Sequence, residues 1–159
     1  MFHVSERNPR VIDRQFAEAF PALDLKATAN SGSFHGDGDL RPRSVRYDRL
    51  TFAMESKCRF SSSRKHCRPT SAEWAKAISQ LSKFDRTAIK LFLVYNAPMK
   101  TWSVNLSLAD WEILKQTYDL STIHPHFYKL RHQNKTYEMV EIQSSDWIEL
   151  YLILEQNFN

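Results

Sequence analysis

At 159 residues the chain can bury one sizeable core and has little room for a second independent domain. Its 42% hydrophobic and 13% aromatic content excludes wholesale disorder, and no apolar run approaches the roughly 20 residues that cross a bilayer. The opening MFHVSERNPR lacks the apolar stretch of a secretory signal, so a cytoplasmic location and no membrane partner are expected, while a net charge of +4 and a pI near 9.1 favour an anionic partner without specifying one.

Asn8 and Pro9 form an N-cap and first-turn pair that opens a helix through about Phe20, and Pro21 helps to end it. At about 100° per residue, Ile12, Phe16, Ala19 and Phe20 share a stripe. Asp13 lies at the edge of that stripe and can look inward; Glu18 lies well off it. A short segment around Leu23 to Thr28 follows, and then SGSFHGDGDL, which holds all three glycines of the chain, Gly32, Gly36 and Gly38. Glycine concentrated in this way marks turns or close backbone approach at one place.

Asp39 and Leu40 begin a strand that Pro42 keeps short or at a sheet edge, and Tyr47-Asp48-Arg49 reads as a turn. The next strand, from Leu50 to Cys58, alternates. Leu50, Phe52 and Met54 face one way; Thr51, Ala53, Glu55 and Lys57 face the other. Taken alone, an acid and a base two residues apart on a strand make an ordinary surface ion pair.

Thr70 and Glu73 fit a capping box, with Trp74, Ala77, Ile78 and Leu81 at the spacing of a buried helical stripe. Gln80 on this helix is read as a surface residue. Ile89 to Tyr95 is a nearly continuous apolar strand, interrupted by Lys90, and suits a central position reached by a right-handed crossover. Beyond it, Thr101 to Leu106 reads as a strand and Ser107 and Asp110 start a helix. Tyr128 to Ile142 reads as a hairpin around Asn134, and Trp147, Leu150, Tyr151 and Leu154 line a terminal helix. This last third is expected to extend the sheet or to form a dimer surface.

Arg41, Arg43, Arg46, Arg49, Lys57, Arg59, Arg64, Lys65 and Arg68 crowd one stretch, where they can neutralise phosphates and release counterions. A solvated basic surface accounts for the same stretch equally well. Cys58 and Cys67 are too few for a disulfide framework. With His35 and His66 they form a zinc set only on paper, because the eight intervening residues do not match knuckle spacing. Buried or incidental thiols are expected.

The ordered run of a helix acid, Ser-Gly, Gly-Asp and MESKCR resembles the core of the PD-(D/E)XK nucleases, in particular the Holliday-junction-resolvase-like branch common in phages. The resemblance spans the first helix to the strand near Val94. It implies an α/β fold with a mixed central β-sheet flanked by helices, a restriction-endonuclease-like core over about residues 9–100. A C-terminal hairpin and helix over about 101–159 complete a single domain. It also implies a location in the host cytosol if the chain is phage-encoded.

By the same resemblance Asp39 takes the motif aspartate's place, and Glu55 and Lys57 take those of Glu-x-Lys. Asp13-Arg14-Gln15-Phe16-Ala17 matches the first-helix pattern, with aspartate where glutamate is usual; Glu18 is the alternative helix acid. Asp37, on the loop side of Asp39, is expected to be a group outside the ligand set or one that faces the DNA. Asp39, Glu55 and the Ser56 main-chain carbonyl are implied ligands of Mg²⁺, with Mn²⁺ able to substitute, and Asp13 holds a second ion or orients a ligating water. Lys57 positions the attacking water or offsets charge on the phosphate. Arg41, Arg43, Arg59, Arg64, Lys65 and Arg68 are the expected nucleic-acid contacts.

Two functions follow from these residues. One is an endonuclease acting on branched or otherwise structured DNA, as a homodimer if it resolves junctions; the other is a non-catalytic nucleic-acid-binding protein. Clustered carboxylates beside phosphate favour the first, since their repulsion makes sense only where a metal intervenes.

Overall fold

The computed structural model describes residues 9–27, 40–43, 49–60, 67–83 and 87–158. Helix α1 (Pro9–Ala19) buries Ile12, Asp13 and Phe16 and leaves Arg14 and Glu18 exposed, as the 3.6-residue period requires. Pro21 opens a 3-10 turn (Pro21–Leu23) instead of continuing the helix. Asp24, left-handed at φ 55°, caps that turn by donating its N–H to the Pro21 carbonyl. The chain then enters strand β1 (Leu25–Ala27).

Strand β2 (Leu40–Pro42) runs antiparallel to β1, with Leu25 opposite Pro42, and antiparallel to β3 (Phe52–Arg59), with Leu40 opposite Met54. Strand β3 starts two residues later than the alternation predicts and ends one later. Helix α2 (Ser71–Leu81) then crosses to β4 (Ile89–Asn96), which lies parallel to β3 from Phe52↔Ile89 to Arg59↔Asn96. The capping box forms: Glu73 N–H donates to Thr70 Oγ1 at 3.2 Å, and Thr70 N–H donates to Glu73 Oε1 at 2.8 Å.

Strand β5 (Thr101–Ser107) returns antiparallel to β4, and helix α3 (Leu108–Thr117) starts where the Ser107 hydroxyl accepts the Asp110 N–H at 3.1 Å. Strands β6 (His126–His132) and β7 (Lys135–Gln143) form the expected hairpin, with Gln133 and Asn134 at φ 48° and 62° in its tight turn. Because β7 pairs with β5, the sheet order is β1-β2-β3-β4-β5-β7-β6. Residues after 100 therefore extend the same mixed seven-stranded sheet.

Helices α1, α3 and α4 (Ser144–Phe158) contribute to one core, against Met54, Leu91, Leu93, Val104 and Ile142 of the sheet. Phe16, Phe20, Trp102, Trp147 and Tyr151 stack within it, with ring centroids as close as 4.7 Å for Phe16 and Phe20; the Tyr151 hydroxyl accepts the Ala22 N–H at 3.0 Å. Helix α2 packs on the opposite face, where Trp74 and Ala77 meet Phe92, Val94 and Met139. The pleat therefore turns Ser56 towards α1, and Glu55 and Lys57 towards α2. Among the described residues no helix is long and apolar enough to cross a membrane.

Candidate active site

Three consecutive residues of β3 carry the centre of the site. Glu55 is half-buried and Lys57 exposed, and both line a cavity of about 270 Å³ between β3 and α2. Ser56, between them, is buried and donates its hydroxyl to Asp13 Oδ1 at 2.5 Å. Asp13 is fully buried, so α1 holds this carboxylate against the strand at the residue flanked by Glu55 and Lys57. Glu18 is exposed on the same helix. Asp39 and Asp37 lie outside the described residues; Leu40, which follows Asp39, is opposite Met54, the residue before Glu55.

Glu55 and the Ser56 main-chain carbonyl are oxygen donors, which suits a hard cation such as Mg²⁺ better than a zinc-like ion. Among the described residues no group of three His, Cys, Asp or Glu side chains stands close enough to hold a metal ion. The donor set implied by the sequence includes Asp39, which is not among those residues. Cys58 and Cys67 are not joined in a disulfide; Cys58 is half-buried and Cys67 buried, and burial pushes the Cys67 thiol up, as expected of an inert thiol. His35 and His66 are outside the described residues.

The remaining cavity walls come from α2: Ala72, Glu73, Lys76, Ala77 and Gln80, with Phe92 of β4 also lining it. Gln80, read from the sequence as a surface residue, is half-buried here. A signal for this wall existed in the sequence: Glu73, Lys76 and Gln80 recur at i, i+3 and i+7, beside the Trp74, Ala77 and Leu81 stripe.

The basic stretch divides. Arg59 pairs with Glu73, its Nη1 2.8 Å from Oε2 and its Nη2 on Oε1, and also reaches the Arg68 carbonyl. Arg68 donates Nε to Glu141 at 3.1 Å and stacks on Tyr128 at 4.3 Å from the ring centroid. Both guanidinium charges are thus balanced by carboxylates of this chain. Arg43 is exposed and donates to the Leu25 carbonyl at 3.2 Å, and Arg41 is half-buried on β2. Arg46, Arg64 and Lys65 lie outside the described residues.

Burial pushes the Glu73 carboxyl up, but its hydrogen bonds from Arg59 and the Thr70 N–H and the Arg59 charge outweigh this, bringing its pKa from 4.5 down to about 2. A folded-state pKa depressed in this way contributes stability that is complete above about 4.5 and is lost as the pH falls through about 2. Glu73→Gln is expected to flatten the acid limb of stability across that window. Urea unfolding measured at several pH values checks it, and an unchanged acid limb would show that the pair contributes nothing.

Comparison with known proteins found no matching family model, no matching curated protein and no matching solved structure.

Proposed function

We propose that the chain is a metal-dependent endonuclease of the PD-(D/E)XK type, hydrolysing phosphodiester bonds in branched or otherwise structured DNA. The observation that carries this reading is the meeting of Asp13 with β3 at Ser56, between Glu55 and Lys57. The order of α1, antiparallel β1 to β3, α2 and parallel β4 is consistent with the restriction-endonuclease-like core.

In this reading Glu55, the Ser56 carbonyl and Asp39 would hold Mg²⁺ or Mn²⁺. When bound, the cation lowers the pKa of water and offsets negative charge on the phosphate. Lys57, on the same face as Glu55, places its ammonium beside the phosphate and orients the attacking water. Asp13 would act through Ser56: by accepting the Ser56 hydroxyl it fixes the residue whose carbonyl would be a ligand, which would make Asp13 a positioning residue.

The rival reading is a non-catalytic nucleic-acid-binding protein, and both readings need basic groups that reach phosphate. The pairing of Arg59 with Glu73 and of Arg68 with Glu141 takes two of the expected contacts from either reading, so binding alone does not separate them and cleavage does. Incubation with labelled four-way junction, flap, single-stranded and linear duplex DNA, in Mg²⁺, Mn²⁺ or EDTA, separates the two. Metal-dependent cleavage is expected and identifies the preferred shape; binding without cleavage in every metal overturns the enzymatic reading.

A further inference from the structure

The cavity beside Glu55 and Lys57 contains a second cation that the chemistry above does not use. Lys76 projects from α2, three residues after Glu73 and one turn before Gln80, and all three line the cavity with Glu55 and Lys57. Glu73 is committed to Arg59 and the Thr70 N–H, so its charge is not available to neutralise Lys76. Among the described residues neither Lys57 nor Lys76 has an ion-pair partner. Two ammonium groups that make no ion pair among the described residues therefore border one recess from different elements, and Gln80 lines it one turn from the second. Lysine on an exposed helix face is usually only solvated; a lysine lining the recess that holds the candidate acid is placed to bind what that acid acts upon.

We propose that Lys76, assisted by Gln80, is a substrate-positioning residue, which grips non-bridging phosphate oxygens of a nucleic-acid strand from the α2 wall while Lys57 approaches from β3. This rests on the nuclease reading for its catalytic consequence, but not for the binding itself. Ammonium groups act as point charges on phosphate, so the contribution is electrostatic and does not depend on base sequence. Helix α2 then sets how the strand lies over Glu55, because Lys76 and Gln80 are one turn apart on a rigid element.

The test uses Lys76→Met, with Lys115→Met, on α3 of the other core, as a charge-matched control. DNA binding is measured in EDTA over a salt series, and cleavage is measured separately in Mg²⁺. Lys76→Met is expected to weaken binding about 10-fold and reduce the salt slope by about one, while Lys115→Met matches wild type. In cleavage it is expected to raise KM about 10-fold with kcat changed by no more than about 3-fold, since the contact binds ground state and transition state alike. Wild-type binding and salt slope in Lys76→Met would overturn the proposal whether or not the protein cleaves. A wild-type protein that binds DNA and never cleaves it, with binding still weakened by Lys76→Met, would support the phosphate grip and overturn only the nuclease reading.

Discussion

Lys57→Met is expected to lower metal-dependent cleavage by about 10²- to 10³-fold or more, mainly in kcat, and to leave the fold intact. The fold should tolerate the change because Lys57 is exposed and, among the described residues, makes no ion pair. The methionine retains the length and most of the apolar stem while removing the charge. Single-turnover kinetics with circular dichroism on the same preparation checks both halves of the expectation. Cleavage within about 3-fold of wild type would make Lys57 a solvated surface lysine and would remove the cation from the chemistry.

The second large effect concerns stability. Glu141 is fully buried on β7 and accepts the Cys67 N–H at 3.0 Å and Arg68 Nε at 3.1 Å. Around it, Asn105 Nδ2 donates to the carbonyls of Cys67 and Phe92, Ser103 also donates to Cys67, and Tyr128 donates its hydroxyl to Asn105 Oδ1 at 2.7 Å. Burial and the Glu141 carboxylate both push the Tyr128 hydroxyl up, with Arg68 opposing, so the phenol remains a donor at neutral pH. This network fastens the Cys67–Arg68 segment onto strands β5 and β7.

Removing the acid strands a buried N–H and a partly buried guanidinium. Breaking a buried pair costs about 3–5 kcal/mol, and the lower end applies here because the Arg68 side chain is 30% exposed. Glu141→Ala is therefore expected to destabilise the protein by about 3 kcal/mol, or about 6–12 °C in melting temperature. Thermal unfolding checks it; a loss below about 1 kcal/mol would mean that the segment repacks or that water replaces the carboxylate.

Local periodicity carried much of the fold. The α1 stripe placed Asp13 inward and Glu18 outward, the alternation in β3 put Glu55 and Lys57 on one face, and Thr70 with Glu73 marked the start of α2. These features depend on neighbours within a turn or a strand, which is what a sequence displays directly. Long-range pairing was not legible. Arg68 and Glu141 are 73 residues apart, so the basic stretch read as a nucleic-acid surface although two of its arginines are bound to acids of this chain. The alternation of Thr101, Ser103 and Asn105 with Trp102 and Val104 resembles a strand with one wet face. Ser103 and Asn105 are nevertheless buried, because the Cys67–Arg68 segment covers them.

The candidate site was legible in part for the same reason. The Glu-x-Lys pair and the helix acid are local patterns. Their meeting depends on α1 packing against β3, and the α2 wall depends on the crossover that brings Lys76 and Gln80 over Glu55. A helix face can be read from spacing, but the strand opposite it is chosen by the tertiary fold.

The most direct test of the central claim is single-turnover cleavage of the preferred DNA in Mg²⁺ by wild type and by Glu55→Ala. Wild type should cleave and the variant should not, with equal melting temperatures and with wild-type activity removed by EDTA. Cleavage by Glu55→Ala at the wild-type rate would contradict the assignment of β3 as the catalytic strand.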